Sequence, residues 1–411
     1  MRQPFILPAL VALLLAAPGC APEFFPAADV LDGSGIEAVV SGTVDPPADD
    51  ARDDEAADAA DVSSAPATAY TFDASIAGDG DYRLYRLGAG SAGDEWSVTA
   101  SGLLPGPFVV ALFDADMNLL MRTFFSYTSP LRHVLREDSP QVYLGIMAPA
   151  GGEGGDFHVK AALKAGQPVP PPAQQVVWLN FAGGANVQVH HRDPISFAAF
   201  DGAMIGEQYA AYTQQIKDTI VQEMRADYAS YNLIILSSDD GPPPSGPYST
   251  VHFGGSAPGL LGLADSVDNY NQNPVQDAVV YIENFAPYWT MELEADEMAV
   301  MIANVASHEL GHLLGLYHTA DPDDLMDTTA TAWELAENQT FTRAPLEQTV
   351  FATGWEDSPR LLLQILGASP DTAKAAARHK PADWWRYKAI RSFARREVRS
   401  KCGTCLSLAS E

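Results

Sequence analysis

The chain has 411 residues, of which 47% are hydrophobic, and its formal net charge at pH 7 is −29. This length leaves room for two domains, and the hydrophobic content excludes a chain that is disordered throughout. The acidic charge argues against nucleic acid or an anionic membrane surface as the main partner. The charge is unevenly spread, because residues 371–411 carry +6 and the other 370 residues therefore hold −35.

Residues 1–20 are predicted to be an export signal. Arg2 supplies a positive start, and the apolar run over residues 5–17 is too short to span a bilayer comfortably. Residues 15–20 read L-A-A-P-G-C, which resembles a bacterial lipoprotein box and implies that Cys20 is lipidated and anchors the chain to a membrane. We expect a lipoprotein of the bacterial cell envelope, at the outer membrane or cell surface. Secretion without an anchor and an unexported apolar N-terminus are the alternatives.

Residues 21–66 are rich in Ala, Asp, Pro and Gly and contain acidic runs such as Asp53-Asp54-Glu55. Such a composition offers little apolar surface to bury. We therefore predict an acidic, disordered tether between the anchor and the folded part of the chain.

Residues 67–165 are predicted to form an all-β sandwich. Gly, Asp, Asn and Pro punctuate short strand-like runs at sandwich spacing. These runs cover residues 70–72, 82–87, 96–100, 108–113, 142–146 and 157–163. Residues 78–82, 110–114, 142–146 and 154–160 resemble, in order, the motifs of the bacterial pre-peptidase C-terminal domain family. That resemblance implies an accessory module beside a secreted peptidase. Its acidic loops are candidates for Ca²⁺, although such loops are more often simply solvated.

A Pro-rich stretch over residues 166–174 is predicted to be a stiff, extended linker. Residues 175–370 then read as one α+β domain with five strands, two main helices and a C-terminal helix. The predicted strands are 176–181, 232–236, 248–253, 260–267 and 278–285, and the predicted helices are 205–228, 293–314, 346–351 and 360–366.

Residues 308–318 read H-E-L-G-H-L-L-G-L-Y-H. On a helix, His308 and His312 lie on one face and can bind a single metal ion, while Glu309 can orient a metal-bound water. Gly315 can adopt positive φ, which ends the helix and brings His318 round as a third ligand. Three nitrogen ligands and one open position indicate a catalytic Zn²⁺. The alternative is a buried helix whose histidines only make hydrogen bonds.

Eight residues after His318 comes Met326, within the sequence D-L-M-D. Together with the long histidine motif, this resembles the methionine turn of the metzincin zinc metalloproteases, and the short spacing is most like the matrixin branch. The resemblance implies a zinc cleft with Met326 beneath the three histidines. It also implies an α+β fold with a mixed five-stranded sheet, in which strand 260–267 is an antiparallel edge strand. An extended peptide can add to such an edge as a further strand. Some matrixins carry a second, structural zinc bound by His and Asp, but its spacing is not evident here.

We predict a zinc metalloendopeptidase that acts on extracellular or envelope proteins, with Glu309 transferring a proton from water to the leaving amine. We expect it to work as a monomer without nucleic acid. A non-catalytic zinc-containing surface or adhesion lipoprotein is the main alternative, and a zinc hydrolase acting on other bonds is a third.

Only three cysteines occur, and Cys402 and Cys405 lie in the basic tail of residues 371–411. In an exported protein they can form a disulfide with each other. Many matrixins are held latent by an upstream cysteine, which this chain lacks between Cys20 and the histidine motif. The tail is predicted to pack on the acidic body or, alternatively, to contact an anionic surface or partner.

Overall fold

The computed structural model describes residues 30–32, 40–42, 69–101, 107–124 and 130–370. The predicted signal with Cys20 and the tail with Cys402 and Cys405 lie outside the described residues. None of the helices in the described part is long and apolar enough to cross a bilayer.

The N-terminal half is a sandwich of two five-stranded sheets. Its strands are β1 (Val30–Asp32), β2 (Val40–Gly42), β3 (Ala69–Gly78), β4 (Tyr82–Gly90), β5 (Glu95–Ser101), β6 (Val109–Phe113), β7 (Leu119–Phe124), β8 (Leu131–Val134), β9 (Ser139–Met147) and β10 (Glu153–Lys164). The first sheet has the order β1-β3-β10-β5-β8, and the second has the order β2-β4-β9-β6-β7. The structure therefore contains the predicted β-rich region, and it adds β7 and β8, which the sequence prediction missed.

Two short strands lie within the predicted tether. β1 pairs in parallel with β3, and β2 pairs antiparallel with β4, although both lie within residues 21–66. The outer strands of a sheet present unpaired N–H and C=O groups, and short segments containing Val and Leu can pair with them. The tether, predicted for most of residues 21–66, stays a prediction for the rest of that segment.

The two sheets differ in burial. Along β3, buried and exposed residues alternate, as expected for a strand with one face in the core and one in solvent. Every residue of β6 is buried. Val110 and Leu112 face the sandwich core, whereas Val109 and Phe113 face a second cluster shared with the C-terminal half. The second sheet is therefore covered on both faces.

The C-terminal half is built on a five-stranded sheet in the order β14-β11-β15-β17-β16. Its elements are β11 (Gln175–Asn180), β12 (Gly184–Val187), β13 (Ile195–Phe197), α1 (Thr213–Asp227), β14 (Leu233–Ser237), β15 (Ser249–Phe253), β16 (Gly262–Ala264), β17 (Asp277–Val280), α2 (Ala295–Leu313), α3 (Ala332–Leu335), β18 (Arg343–Pro345), β19 (Trp355–Asp357) and α4 (Ser358–Leu366). The 3₁₀ segments are Gly202–Met204, Glu207–Tyr212 and Ile282–Met291.

The sheet is mixed, as predicted. All neighbouring strands are parallel except β16, which runs antiparallel to β17 at one edge. Helices α1 and α2 pack together over one face in the largest hydrophobic core. Helix α2 is apolar around most of its circumference, which is typical of a helix buried on all sides.

Two predicted helices need correction. The segment predicted as one helix over 205–228 begins as 3₁₀ structure, and α1 starts only at Thr213. Residues 346–351 form a turn rather than a helix, with Val350 N–H donating to the Glu347 carbonyl. The apolar residues Leu346, Val350 and Phe351 insert into the cluster shared with the sandwich, so their spacing reflects tertiary packing and not a helical face.

The predicted linker has no regular secondary structure, but it is bound along its length. Gln167 N–H donates to the Gly93 carbonyl, and Ala173 N–H donates to the Ile365 carbonyl. Arg136 Nη1 donates to the carbonyls of both Pro170 and Gln364. These contacts join the sandwich, the linker and α4.

Candidate metal centre

Two of the three predicted ligands come from the last turns of α2. His308 and His312 are buried one turn apart, and the helix is capped at Leu314. Gly315 has φ +100°, and its N–H donates to the His312 carbonyl. A Cβ at this position would lie 2.6 Å from the Asp268 carbonyl oxygen, so only glycine fits there without a shift. The chain therefore reverses where the sequence predicted.

This reversal brings His318 to the first two histidines. The Nε2 atoms of His308, His312 and His318 lie 3.1, 3.1 and 3.2 Å apart in the three pairings. A tetrahedral ion with Zn–N bonds of about 2.05 Å would hold its nitrogen ligands about 3.3 Å apart. The spacing therefore fits one shared Zn²⁺. Among the residues that the structure describes, these three form the one group whose potential ligand atoms converge in this way.

Backbone carbonyls fix the orientation of two of the rings. His308 Nδ1 lies 2.8 Å from the Leu325 carbonyl oxygen, and His312 Nδ1 lies 2.8 Å from the Leu316 carbonyl oxygen. A carbonyl can only accept, so both Nδ1 atoms carry the proton and both Nε2 atoms keep a lone pair for a metal. This is the tautomer that a zinc ligand requires.

Burial also keeps the imidazoles neutral. It lowers the pKa of His308 to about 4, and the hydrogen bond to Leu325 opposes this only in part. The pKa values of His312 and His318 are held well below the usual range, first by burial and then by neighbouring positive charge. Neutral imidazoles bind a metal without first losing a proton.

Glu309 lies against the edge strand. Its side chain is buried, and a Cβ at Gly262 would lie 2.4 Å from its Oε1 atom. The absence of a side chain at Gly262 therefore leaves room for the carboxylate. A cleft opens between β16 and the segment after Met326, with His308 and Glu309 in its wall and Val305, Leu325, Leu335 and Gln339 also lining it.

Met326 is fully buried, as the methionine-turn prediction requires. A Cβ at Gly311 would lie 2.6 Å from the Met326 sulfur, so the glycine between the two helix histidines admits the methionine. Thr319 N–H donates to the Met326 carbonyl, which ties the residue after the third ligand to the turn. The sequence prediction named Met326 but gave no role to Gly262 or Gly311.

Glu356 is a buried acid that the sequence prediction missed. Its Oε1 accepts a hydrogen bond of 3.1 Å from the Tyr317 N–H. Burial raises the pKa of this carboxyl well above its usual range, and the hydrogen bond from Tyr317 opposes that shift only in part. The residue before the third ligand is thus held by a side chain from β19.

The remaining histidines of the C-terminal half make other contacts. His190 uses its N–H and Nδ1 to contact Asp265, and His252 Nδ1 lies 3.0 Å from Asn180 Nδ2.

In the sandwich, the Asp81 carboxylate accepts the Ala77 N–H and bonds Arg83. Calcium binding in these acidic loops stays a prediction.

Comparison with known families agrees with the histidine motif. Residues 269–342 match the family model described as Matrixin, and this segment contains the three histidines, Glu309 and Met326. The match covers under a fifth of the chain and supports a metzincin-like domain. No curated protein matches the chain in sequence.

Several solved structures resemble parts of the chain. Archaemetzincin from Methanopyrus kandleri is 13% identical with a TM-score of 0.23, covering 41% of this chain and 89% of its own. A zinc-dependent peptidase from Methanocorpusculum labreanum is 12% identical with a TM-score of 0.26, covering 46% and 99%. PliG from Aeromonas hydrophila, a periplasmic inhibitor of g-type lysozyme, is 14% identical with a TM-score of 0.20, covering 24% and 88%. Similarities of this size carry no conclusion about activity.

Proposed function

We propose that this protein is a zinc metalloendopeptidase of the metzincin type, closest in motif spacing to the matrixins. The observation that carries the proposal is the convergence of the three Nε2 atoms on one point, with His308 and Glu309 in the wall of one cleft. A purely structural zinc site would need a fourth protein ligand and no buried carboxylate next to the ion.

The residues of the site have distinct roles in peptide hydrolysis. Bound Zn²⁺ supplies Lewis acidity, which lowers the pKa of water toward neutrality and polarises the scissile carbonyl. Glu309 accepts the proton of the attacking water and then delivers it to the leaving amine. The carbonyls of Leu325 and Leu316 keep His308 and His312 in the orientation that presents Nε2 to the ion.

We further propose that the substrate binds as an extended strand along β16. The Leu261 carbonyl accepts from Tyr281 N–H and Asp265 N–H donates to Asp277, so residues 261 and 265 bond toward β17. In an antiparallel pair, alternate residues point the opposite way, which turns the backbone groups of Gly262 toward the cleft. A peptide bound to Gly262 would pass directly beside Glu309.

We propose that the protein works outside the cytoplasm, held at the bacterial envelope by the lipid on Cys20, or secreted. The lipobox-like sequence of residues 15–20 supports this location. Unstructured envelope or extracellular proteins are the expected substrates, and we expect a monomer.

The decisive experiment compares wild-type protein with Glu309→Gln on unfolded casein, with and without a zinc chelator. We expect the variant to keep one zinc per chain and to lose about 10²–10⁴-fold in kcat. Glu283→Gln, at an exposed carboxylate ahead of α2, is the matched control and should cleave normally. Wild-type turnover by Glu309→Gln would refute the role of Glu309. Zinc-loaded wild type that cleaves no protein over a range of substrates would support the non-catalytic surface protein instead.

A further inference from the structure

The sandwich and the C-terminal half share a hydrophobic cluster. Its buried members include Val109, Phe113 and Met147 from the sandwich, and Tyr317 and Phe351 from the C-terminal half. The Phe351 ring lies over Gly145 of β9, where a Cβ would be only 2.6 Å from Cζ. An accessory module on a flexible tether would not need such packing, so the contact points to a specific task.

The C-terminal side of this contact is the chain around the third ligand. Tyr317 immediately precedes His318, and the His318 carbonyl accepts the Glu347 N–H at 3.0 Å. Residue 347 begins the turn that carries Val350 and Phe351 into the shared cluster. The segment around His318 is thus tied on one side to a turn that the sandwich covers.

Arg122 of β7 is the polar centre of this arrangement. It is only 6% exposed, and its Nε and Nη2 donate to the carbonyls of Val350 and Thr349 at 2.8 and 3.2 Å. Its guanidinium carbon lies 5.5 Å from the centre of the Tyr317 ring. Only a forked, planar cation can bridge two neighbouring carbonyls and also stack on a ring.

The backbone of Arg122 adds a second set of bonds. The Arg122 carbonyl accepts from Asn269 Nδ2 at 3.2 Å, and the Tyr317 hydroxyl lies 3.1 Å from both this carbonyl and Asn269 Oδ1. Tyr317 is therefore held at its hydroxyl by the sandwich and at its N–H by Glu356. His318 is the next residue in the chain, so its backbone starts from a position that is fixed at two points.

We propose that the sandwich is a positioning element of the zinc site and that Arg122 is its positioning residue, holding His318 in reach of the two helix histidines. Helix α2 fixes the backbone of His308 and His312, whereas the backbone around His318 depends in addition on contacts from the sandwich. The proposal rests on the proposed zinc function and predicts that zinc affinity will report on a residue that is not itself a ligand.

The test uses the full-length protein and four variants: Arg122→Met, Arg122→Lys, Tyr317→Phe and the control Arg132→Met. Arg132 lies on the neighbouring strand β8 with a half-exposed side chain bonded to Glu95. For each protein, three quantities are measured: the Zn²⁺ dissociation constant by chelator competition, the visible spectrum of the Co²⁺-substituted protein, and the melting temperature without metal.

We expect Arg122→Met to weaken Zn²⁺ binding by about 10–100-fold, the range typical of groups that orient a ligand, and to alter the Co²⁺ spectrum. Arg122→Lys keeps the charge but lacks the fork, so it should restore only part of the affinity. Tyr317→Phe should weaken binding less than Arg122→Met, and Arg132→Met should match wild type.

A lower melting temperature with wild-type Zn²⁺ affinity and Co²⁺ spectrum in Arg122→Met would overturn the proposal, because the contact would then only stabilise the fold. If Arg122→Met does not fold, Tyr317→Phe decides, since it deletes a single hydroxyl, and unchanged affinity again overturns the proposal. His318→Ala separates the two hypotheses. If this variant binds Zn²⁺ like wild type, the proposed metal site itself is wrong.

Discussion

The two sides of the candidate metal centre are held in different ways. His308, Glu309 and His312 lie on α2, a 19-residue helix buried in the largest core. His318 lies in a segment with little regular structure. The backbone of this segment bonds to the methionine turn through Thr319 and to the turn at 347–351 through the His318 carbonyl. The helix side is fixed by local hydrogen bonds and surrounding core, and the other side by contacts distant in sequence.

This difference shows which parts of a metal site a local motif can specify. Helical spacing alone places two imidazoles one turn apart. The third imidazole needs the chain reversal at Gly315 and the hydrogen bond that holds Tyr317. It also needs the apolar contact that the sandwich supplies. Substitutions at four positions test this contrast.

Phe351→Ala should remove the main apolar contact between the sandwich and the third-ligand side. Truncating a fully buried Phe costs about 3–5 kcal/mol. Hydrogen exchange should then accelerate in β6, β9 and residues 346–351, while the amides of α2 keep their protection. Phe285→Ala, a fully buried Phe of the main core, is the control and should expose α2 instead. Equal acceleration of α2 in both variants would show that the two sides unfold as one unit.

Gly262→Ala should act on the helix side without touching a ligand. The added methyl would displace the Glu309 carboxylate, and a misplacement of about 1 Å can cost 10²-fold in rate. We expect kcat on casein to fall by about that factor while zinc content stays at one per chain. Gly241→Ala is the matched control, because a Cβ there meets nothing within 4 Å. Loss of zinc in Gly262→Ala would show that β16 also supports the ligands.

His133 makes the interface sensitive to acid. It packs on Tyr270 with ring centres 5.1 Å apart, and burial, aided by the positive charge of Arg136, lowers its pKa to about 3. Above pH 6.5 neither folded nor unfolded chains protonate this ring, but below pH 6.5 only the unfolded chain takes up the proton. The free energy of unfolding therefore falls as pH drops from 6.5 toward 3. At pH 5 this loss is about 2 kcal/mol relative to neutral pH.

Urea unfolding of wild type and His133→Phe between pH 8 and pH 5 tests this sign. The phenylalanine variant keeps a ring against Tyr270 and should lose less stability on acidification. The control His191→Phe, at an exposed residue between β12 and β13, should lose as much unfolding free energy on acidification as wild type. If the unfolding free energy of His133→Phe fell with pH as steeply as that of wild type, the prediction would be contradicted.

Gly311→Ala should strain the packing contact between α2 and the methionine turn. Alanine favours a helix over glycine by about 1 kcal/mol, but its methyl overlaps the Met326 sulfur, and overpacking costs about 1–3 kcal/mol. We expect a net loss of about 1 kcal/mol in unfolding free energy. Adding Met326→Ala should relieve the clash, so a double-mutant cycle should show coupling between the two positions. Additive effects would show that the helix and the turn adjust independently.

Much of the candidate site was predictable because its signal is local. Residues 308–318 specify ligand spacing and the helix end, and Met326 follows at a fixed distance. The five strands of the sheet were also predictable, since they are apolar runs between turn residues. The edge strand β16 is antiparallel, as the metzincin resemblance implied.

The parts that were missed depend on contacts far apart in sequence. Nothing near Arg122 or Glu356 in the chain indicates that they contact residues 349–350 and Tyr317. One signal was available: residues 109–113 are continuously apolar, whereas β3 alternates, and a continuous run indicates a strand covered on both faces. That contrast could have shown that the sandwich packs against a further domain.

The hydrogen bond between Arg122 and Val350 joins residues 228 positions apart in the chain. During synthesis, the sandwich and α2 are both complete before residues 347–351 emerge to close the cluster. Contacts of such sequence separation form late, because a long loop must close first. The third imidazole is therefore secured only after residues 347–351 have been made. A chain cut before residue 347 would contain all three histidines but would lack the contacts that hold His318, and we expect its metal centre to be incomplete.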